Sequence, residues 1–228
     1  MSSSILSSNY IAYVICSVLC FVPAIVFHEV AHGFAAYKLG DPTARRMGRL
    51  SLNPLAHIDI FGTIVLPGLL MLASMPVFGY AKPVPYNPSY FKDPRRGDLI
   101  VGFAGPLANL IMACIGAGIT WLLNLFAPTY FLNFMIYVYL YKMFLPMFVI
   151  INLNFMVFNL IPIPPLDGSS IIAMLIPKNK MYQYYRIQQY AMPIFMIVII
   201  VVPYAFNINP LGMFINATAG NLAQIMLP

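Results

Sequence analysis

The sequence predicts an all-α polytopic membrane protein with about five to six membrane segments, and three observations carry that prediction. Hydrophobic residues make up 61% of the 228 and charged residues 8%, against roughly 25% charged in a soluble domain. Mean hydropathy is +0.83, and several apolar runs reach ~20 residues, enough to cross a bilayer. Lys and Arg gather in short clusters between those runs, the bias expected of cytoplasmic loops. The net charge of +6 follows from that bias, so the lipid bilayer is a predicted partner and nucleic acid is not. The chain reads as one integral-membrane domain over 1–228, with a core over 10–176 and C-terminal helices over 187–228.

The first apolar run, 10–39, is longer than a perpendicular span needs, so it tilts or protrudes. No Lys or Arg precedes Lys38, whereas Lys38, Arg45, Arg46 and Arg49 follow closely. The positive-inside rule puts the N-terminus outside and the next loop in the cytoplasm. The first nine residues lack the basic region of a cleavable signal peptide. Gly40-Asp41-Pro42-Thr43 ends the helix by turn chemistry. Residues 44–52 alternate weakly and read as a short strand or hairpin. Residues 60–80 are apolar but broken by Pro67-Gly68 and Pro76, with basic residues on both sides, which favours a re-entrant segment over a simple crossing. Residues 78–85 read as extended, because each proline biases its predecessor towards β or polyproline geometry.

Residues 98–126 form a clear span containing Gly105-Pro106 and Asn109. Residues 130–161 form a longer one, interrupted at Pro146 and carrying Lys142. Three prolines within 162–165 then rule out continuous helix before Asp167. A short helix over 169–176, a basic stretch with Lys178, Lys180 and Arg186, a last span over 188–204 and a weakly apolar tail over 207–228 complete the chain. Cys16, Cys20 and Cys114 fall in apolar helix at no disulfide or CxxC spacing and read as packing residues. Asn216-Ala217-Thr218 matches a glycosylation sequon, a weak signal.

Within the first run stands His28-Glu29-Val30-Ala31-His32. On a helix, positions i and i+4 share a face, so both imidazoles can reach one metal ion, and Glu29 can reach its water. Titratable side chains in apolar helix are costly unless paired, metal-bound or functional. The chain has three histidines, two of them here, and Glu29 is its one glutamate. At ~1.5 Å rise per residue, His32 lies roughly 9 Å before Lys38, in the cytoplasmic half of the membrane. A catalytic zinc site takes a third protein ligand. Only His57 and the five aspartates remain for it. Asp41, Asp93 and Asp98 sit where helix capping is the expected role. Asp167 leads, in apolar surroundings after a helix-breaking stretch and at the same predicted depth; Asp59 is the alternative. His57 and Asp59, at i and i+2, share a face on a strand but not on a helix. They read either as residues that support the site or gate substrate, or as a polar turn at the membrane surface. Asn109 reads as a packing residue beside Gly105 and Pro106.

Together, H-E-x-x-H in a membrane helix, A-G-P-x-x-N at 104–109 and N-L-x-P-x-P-x-L-D-G at 159–168 resemble the site-2 protease family of intramembrane zinc metalloproteases, peptidase family M50. The resemblance covers about 27–172. Gly48-Arg49-Leu50-Ser51-Leu52-Asn53-Pro54 and the 78–87 stretch are similar to a compact prokaryotic subgroup without PDZ or CBS domains. The resemblance implies that His28, His32 and Asp167 bind one Zn2+ per chain and that Glu29 is the catalytic base. It implies that Asn159 holds the substrate backbone or the developing oxyanion, and that 78–84 is an edge strand clamping an unwound substrate helix. The segment 60–76 departs from better-known members. The substrate class implied is a membrane-protein or peptide segment, cut in regulated intramembrane proteolysis or signal-peptide remnant clearance. A metal-ion transporter would need polar residues along a path through both leaflets, and the outer halves of these spans offer almost none. A non-catalytic scaffold would have no use for Glu29.

Overall fold

The computed structural model describes residues 8–65, 68–69, 72, 82–126 and 134–228. Among the described residues, three helices are long and apolar enough to cross a membrane. The first, α1 (Ser8–Lys38), ends at Gly40, whose φ of +105° suits glycine. The second, α2 (Pro94–Phe126), begins with Asp93 accepting hydrogen bonds from the Arg95 and Arg96 N–H groups at 3.1 and 3.2 Å, a side-chain cap followed by proline at the first helical position. The third, α3 (Met135–Asn159), holds a π-helical turn at Leu140–Phe144 before Pro146. A bent pair, Met181–Gln188 and Ala191–Pro203, meets at 54° and is apolar enough for a fourth span. The described residues therefore hold three to four membrane-capable helices.

Helix α2 is the centre of the bundle and packs against both α1 and α3. Its buried residues, including Val101, Gly105, Asn109, Ala113, Gly116, Ala117 and Thr120, recur at three- and four-residue spacing along one face. Small residues there let the backbones approach, which is how membrane helices gain packing energy without a hydrophobic drive between them. Leu107, Ile111, Ile115, Ile119 and Leu122 lie exposed on the other side. Such a patch would be a liability in water and is ordinary against acyl chains.

The 207–228 tail is helical, as the C-terminal helices expected over 187–228 require, and it packs on the bundle. Pro210–Ile215, a π turn at Asn216–Gly220 and Asn221–Met226 run on from one another. Ala219 and Ala223 join Ala113, Ala117, Val149 and Leu153 in one buried cluster, and the Trp121 indole donates to the Met226 carbonyl at 2.9 Å. Cys20 is buried, Cys114 is exposed and none of the cysteines is paired.

Among the described residues there is no β-strand. The expectation of a strand or hairpin over 44–52 is corrected. Thr43–Arg46 is one helical turn and Pro54–His57 a 3-10 turn, and the Arg49 guanidinium takes the place of a strand partner by donating to backbone carbonyls. Residues 82–87 are irregular and unpaired in any ladder. Of the apolar segment 60–80, Ile60–Val65 is a π-helical turn, and most of the remainder, with most of the 78–84 stretch, lies outside the described residues.

Candidate metal centre

His28 and His32 lie one turn apart on the face of α1 turned into the bundle, 5% and 8% exposed. Each ring is held by its Nδ1. That of His32 lies 2.7 Å from the Val101 carbonyl, which can only accept. That of His28 lies 2.6 Å from Asn109 Oδ1. The Asn109 amide is oriented by its other bonds: Nδ2 donates to the Ala24 carbonyl and to Asn152 Oδ1, each at 3.0 Å. Asn152 Nδ2 in turn donates to the Phe148 carbonyl at 2.8 Å. Both ends of this chain across α1, α2 and α3 are backbone carbonyls, so the direction of every bond is fixed and both Nδ1 atoms must donate.

With Nδ1 carrying the proton, each Nε2 is the atom left to ligate, and the two lie 3.0 Å apart. Asp167 Oδ2 completes the triangle, 3.0 Å from His28 Nε2 and 3.3 Å from His32 Nε2. That oxygen is buried with no hydrogen-bond partner. Three lone-pair-bearing atoms this close repel one another unless a cation or proton sits among them. A tetrahedral zinc site with bonds of ~2.0–2.1 Å places its donors roughly 3.3 Å apart, and two imidazoles with one carboxylate is a catalytic-type ligand set. The residues fit zinc, and theirs is the one such cluster of His, Cys, Asp and Glu among the described residues.

The loop before the short helix Ser169–Leu175 aims Asp167. The Gly168 N–H donates to the Asn159 carbonyl at 2.7 Å, and the Asp167 carbonyl accepts from the Ser170 N–H at 3.0 Å. The Asp167 side chain does not cap that helix; it points to the imidazoles. Gly105 is the second requirement. A Cβ there would lie 2.4 Å from His32 Nε2 and 2.6 Å from His28 Nε2, so glycine is what lets α2 pass directly beside the ligands.

Glu29 lies beside this triangle. It lines a cleft of about 380 Å3 together with His32, Val84, Asp98, Asp167 and Ser170. Its Oε2 accepts the Val84 N–H at 2.9 Å. A carboxylate next to three converging ligand atoms, in a partly open cleft, can act on a water or a peptide bond held there.

The remaining expectations fall elsewhere. Asn159 Nδ2 donates to the Phe155 carbonyl of its own helix at 3.1 Å. His57 is 2% exposed and its Nε2 lies 2.8 Å from the Ser51 carbonyl. Asp59 accepts from the Gly62 N–H at 2.7 Å. None of the three joins the ligand cluster. Asp41 is fully buried and accepts from the Thr43 hydroxyl and N–H and from the Asn87 N–H. Burial pushes its carboxyl up, but those hydrogen bonds outweigh it and hold the group below the usual carboxylate range. Asp98 accepts the Tyr86 hydroxyl at 2.6 Å. Sequence reasoning missed Asn109 as the partner of His28. The available signal was an amide on the same helical face as Gly105, four residues on.

Comparison with known proteins finds relatives described as zinc metalloproteases. A family model described as peptidase family M50 matches residues 134–202. The chain is 35% identical over 198 residues to "Putative zinc metalloprotease YwhC" of Bacillus subtilis (strain 168), covering 87% of this chain and 82% of that protein. It is 27% identical over 168 residues to "Putative zinc metalloprotease Rip2" of Mycolicibacterium smegmatis, covering 70% of this chain and 57% of the relative. The Mycobacterium tuberculosis H37Rv protein of the same description is 28% identical over 151 residues, 64% of this chain and 51% of the relative. No solved structure matches the chain.

Proposed function

The chain belongs to peptidase family M50 and is a zinc-dependent membrane metalloprotease, and from that premise we propose that it hydrolyses peptide bonds in or near the transmembrane segments of membrane-protein substrates. One observation carries the reading: His28 Nε2, His32 Nε2 and Asp167 Oδ2 converge within 3.0–3.3 Å inside a bundle of membrane-capable helices, beside Glu29. In this reading those three residues hold one zinc ion per chain and Glu29 is the general base. Bound zinc would polarise the scissile carbonyl and lower the pKa of a water from about 15.7 towards 7. The Glu29 carboxylate takes the proton of the attacking water and delivers it to the leaving amine. Asn159, at the end of α3, is the candidate donor to substrate backbone or oxyanion, a role that requires its amide to leave the Phe155 carbonyl.

A peptide bond inside a helix is sterically shielded, so the substrate segment unwinds locally before cleavage. The irregular 82–87 segment, bordering the cleft at Val84 and Tyr86, is the candidate surface for it to lie along. The N-terminus is assigned outside and the site to the cytoplasmic half of the membrane. Supporting that assignment, the Val101 carbonyl that holds His32 lies about one and a half turns from Arg95 and Arg96, and Arg95 reaches the Ile176 carbonyl, close in sequence to Lys178 and Lys180.

The test is Glu29→Gln in purified protein with a transmembrane peptide substrate. Cleavage falls by on the order of 10²–10⁴-fold while zinc content stays at the wild-type value. A zinc-replete Glu29→Gln protein that still cleaves would sink the assignment.

A further inference from the structure

The loop after α1 contains one side chain whose bonding has no evident local purpose. Arg49 is 7% exposed. Its guanidinium donates to the backbone carbonyls of Ala56, Lys82 and Pro83. The Lys82 N–H donates to the His57 carbonyl at 2.9 Å, so the same two stretches of chain, 49–57 and 82–84, are tied together in both directions. A planar fork with five N–H donors can serve several carbonyls at fixed angles, which an ammonium group on a flexible stem cannot.

The next residue along is Val84, whose N–H holds the Glu29 carboxylate. Val84 is flanked by Pro83 and Pro85, which have no N–H, so one edge of this stretch cannot donate at all, and no ladder sets its register. It is fixed from outside. At one end Arg49 and the His57 carbonyl hold Lys82 and Pro83; at the other, Asp41 accepts the Asn87 N–H at 2.6 Å. In the middle, Val84 is buried against α1 at Gly33, where a Cβ would come within 2.8 Å of the Val84 Cγ1 and 2.7 Å of the Leu50 Cδ2. The glutamate itself has three rotatable side-chain bonds and several staggered wells to occupy. The Val84 N–H is the contact that selects one of them.

We propose that Arg49 is a positioning residue for the hydrolytic reaction: it fixes the Lys82–Val84 backbone so that the Val84 N–H holds Glu29 beside the His28, His32 and Asp167 donors. The proposal rests on the assignment of Glu29 as general base. It also gives the buried His57 a part, through its backbone carbonyl rather than its ring.

Arg49→Lys, Val84→Pro and the double variant test it in detergent-purified protein with a transmembrane peptide substrate. Arg49→Lys keeps the charge and loses the fork; Val84→Pro deletes the N–H donor. Each single variant keeps wild-type zinc content and loses roughly 10- to 100-fold in kcat; in Arg49→Lys, whose side chain does not line the cleft, KM changes by less than about 3-fold. The double variant is no slower than the worse single one, because both changes act through the same hydrogen bond. Backbone amide exchange over 82–87 quickens in Arg49→Lys. Unchanged kcat, loss of zinc along with activity, losses that multiply in the double variant, or unchanged amide exchange each overturn the proposal. Failure of the underlying base assignment shows separately, as cleavage retained in Glu29→Gln.

Discussion

Replacing Gly105 by alanine tests the metal centre with the smallest possible change. The added methyl would lie 2.4 Å from His32 Nε2 and 2.6 Å from both His28 Nε2 and its Cε1. Carbon and nitrogen in van der Waals contact sit about 3.5 Å apart, so the methyl overlaps both ligand atoms by about 1 Å. Metal–ligand distances tolerate only about ±0.2 Å, so at least one imidazole must leave its place. Disturbing the groups that orient zinc ligands typically costs about 10- to 100-fold in affinity, and direct intrusion on two of them is expected to cost at least 100-fold, about 2.7 kcal/mol. Gly118→Ala is the matched control, on the same helix with nothing within 4 Å of the new Cβ. Helix propensity alone favours alanine at both positions by ~1 kcal/mol, so any loss at Gly105 is steric. The assay is zinc retention against a graded chelator series, read on folded protein. Wild-type zinc affinity in Gly105→Ala, or an equal loss in Gly118→Ala, refutes the geometry.

Two further changes probe what surrounds the centre. Asn109→Ala removes the acceptor that orients His28 and leaves Asn152 Oδ1 and the Ala24 carbonyl without their donor; chelator competition should show zinc affinity weakened about 10- to 100-fold. Asp41 gives a pH signature. Its carboxyl is held below its unfolded value of about 3.9, so its contribution is present above that pH and is lost as pH falls through the lower folded value. Asp41→Asn is therefore expected to melt earlier than wild type at pH 7, with the gap narrowing as the pH is taken well below 4. A gap that widens on acidification contradicts the assignment.

Much of the centre was legible because its chemistry is rare in such a sequence. A glutamate and two histidines in an apolar run have few bland explanations, and the helix-breaking prolines before Asp167 already implied a turned-in carboxylate. The depth assigned to the centre rests on counting basic residues. What could not be read was whatever depends on approach between helices. Asn109 looked like packing because its partner, His28, is 81 residues away, and no local pattern reports that the two helices meet there. Arg49 lies in a stretch whose weak alternation suggested a strand; its guanidinium satisfies the carbonyls that a strand partner would have served. The 207–228 tail read only as weakly apolar C-terminal helix; its place comes from the small side chains of Ala219 and Ala223, which join the buried cluster of Ala113 and Ala117.

The most direct test of the central claim is zinc content in wild type and Asp167→Ala, measured alongside cleavage of a transmembrane peptide. The geometry predicts about one zinc per wild-type chain with cleavage, and loss of both in the variant, because removing Oδ2 leaves only two of the three protein donors that a catalytic zinc site takes. An Asp167→Ala protein that keeps its zinc and still cleaves would contradict it and place the third ligand elsewhere.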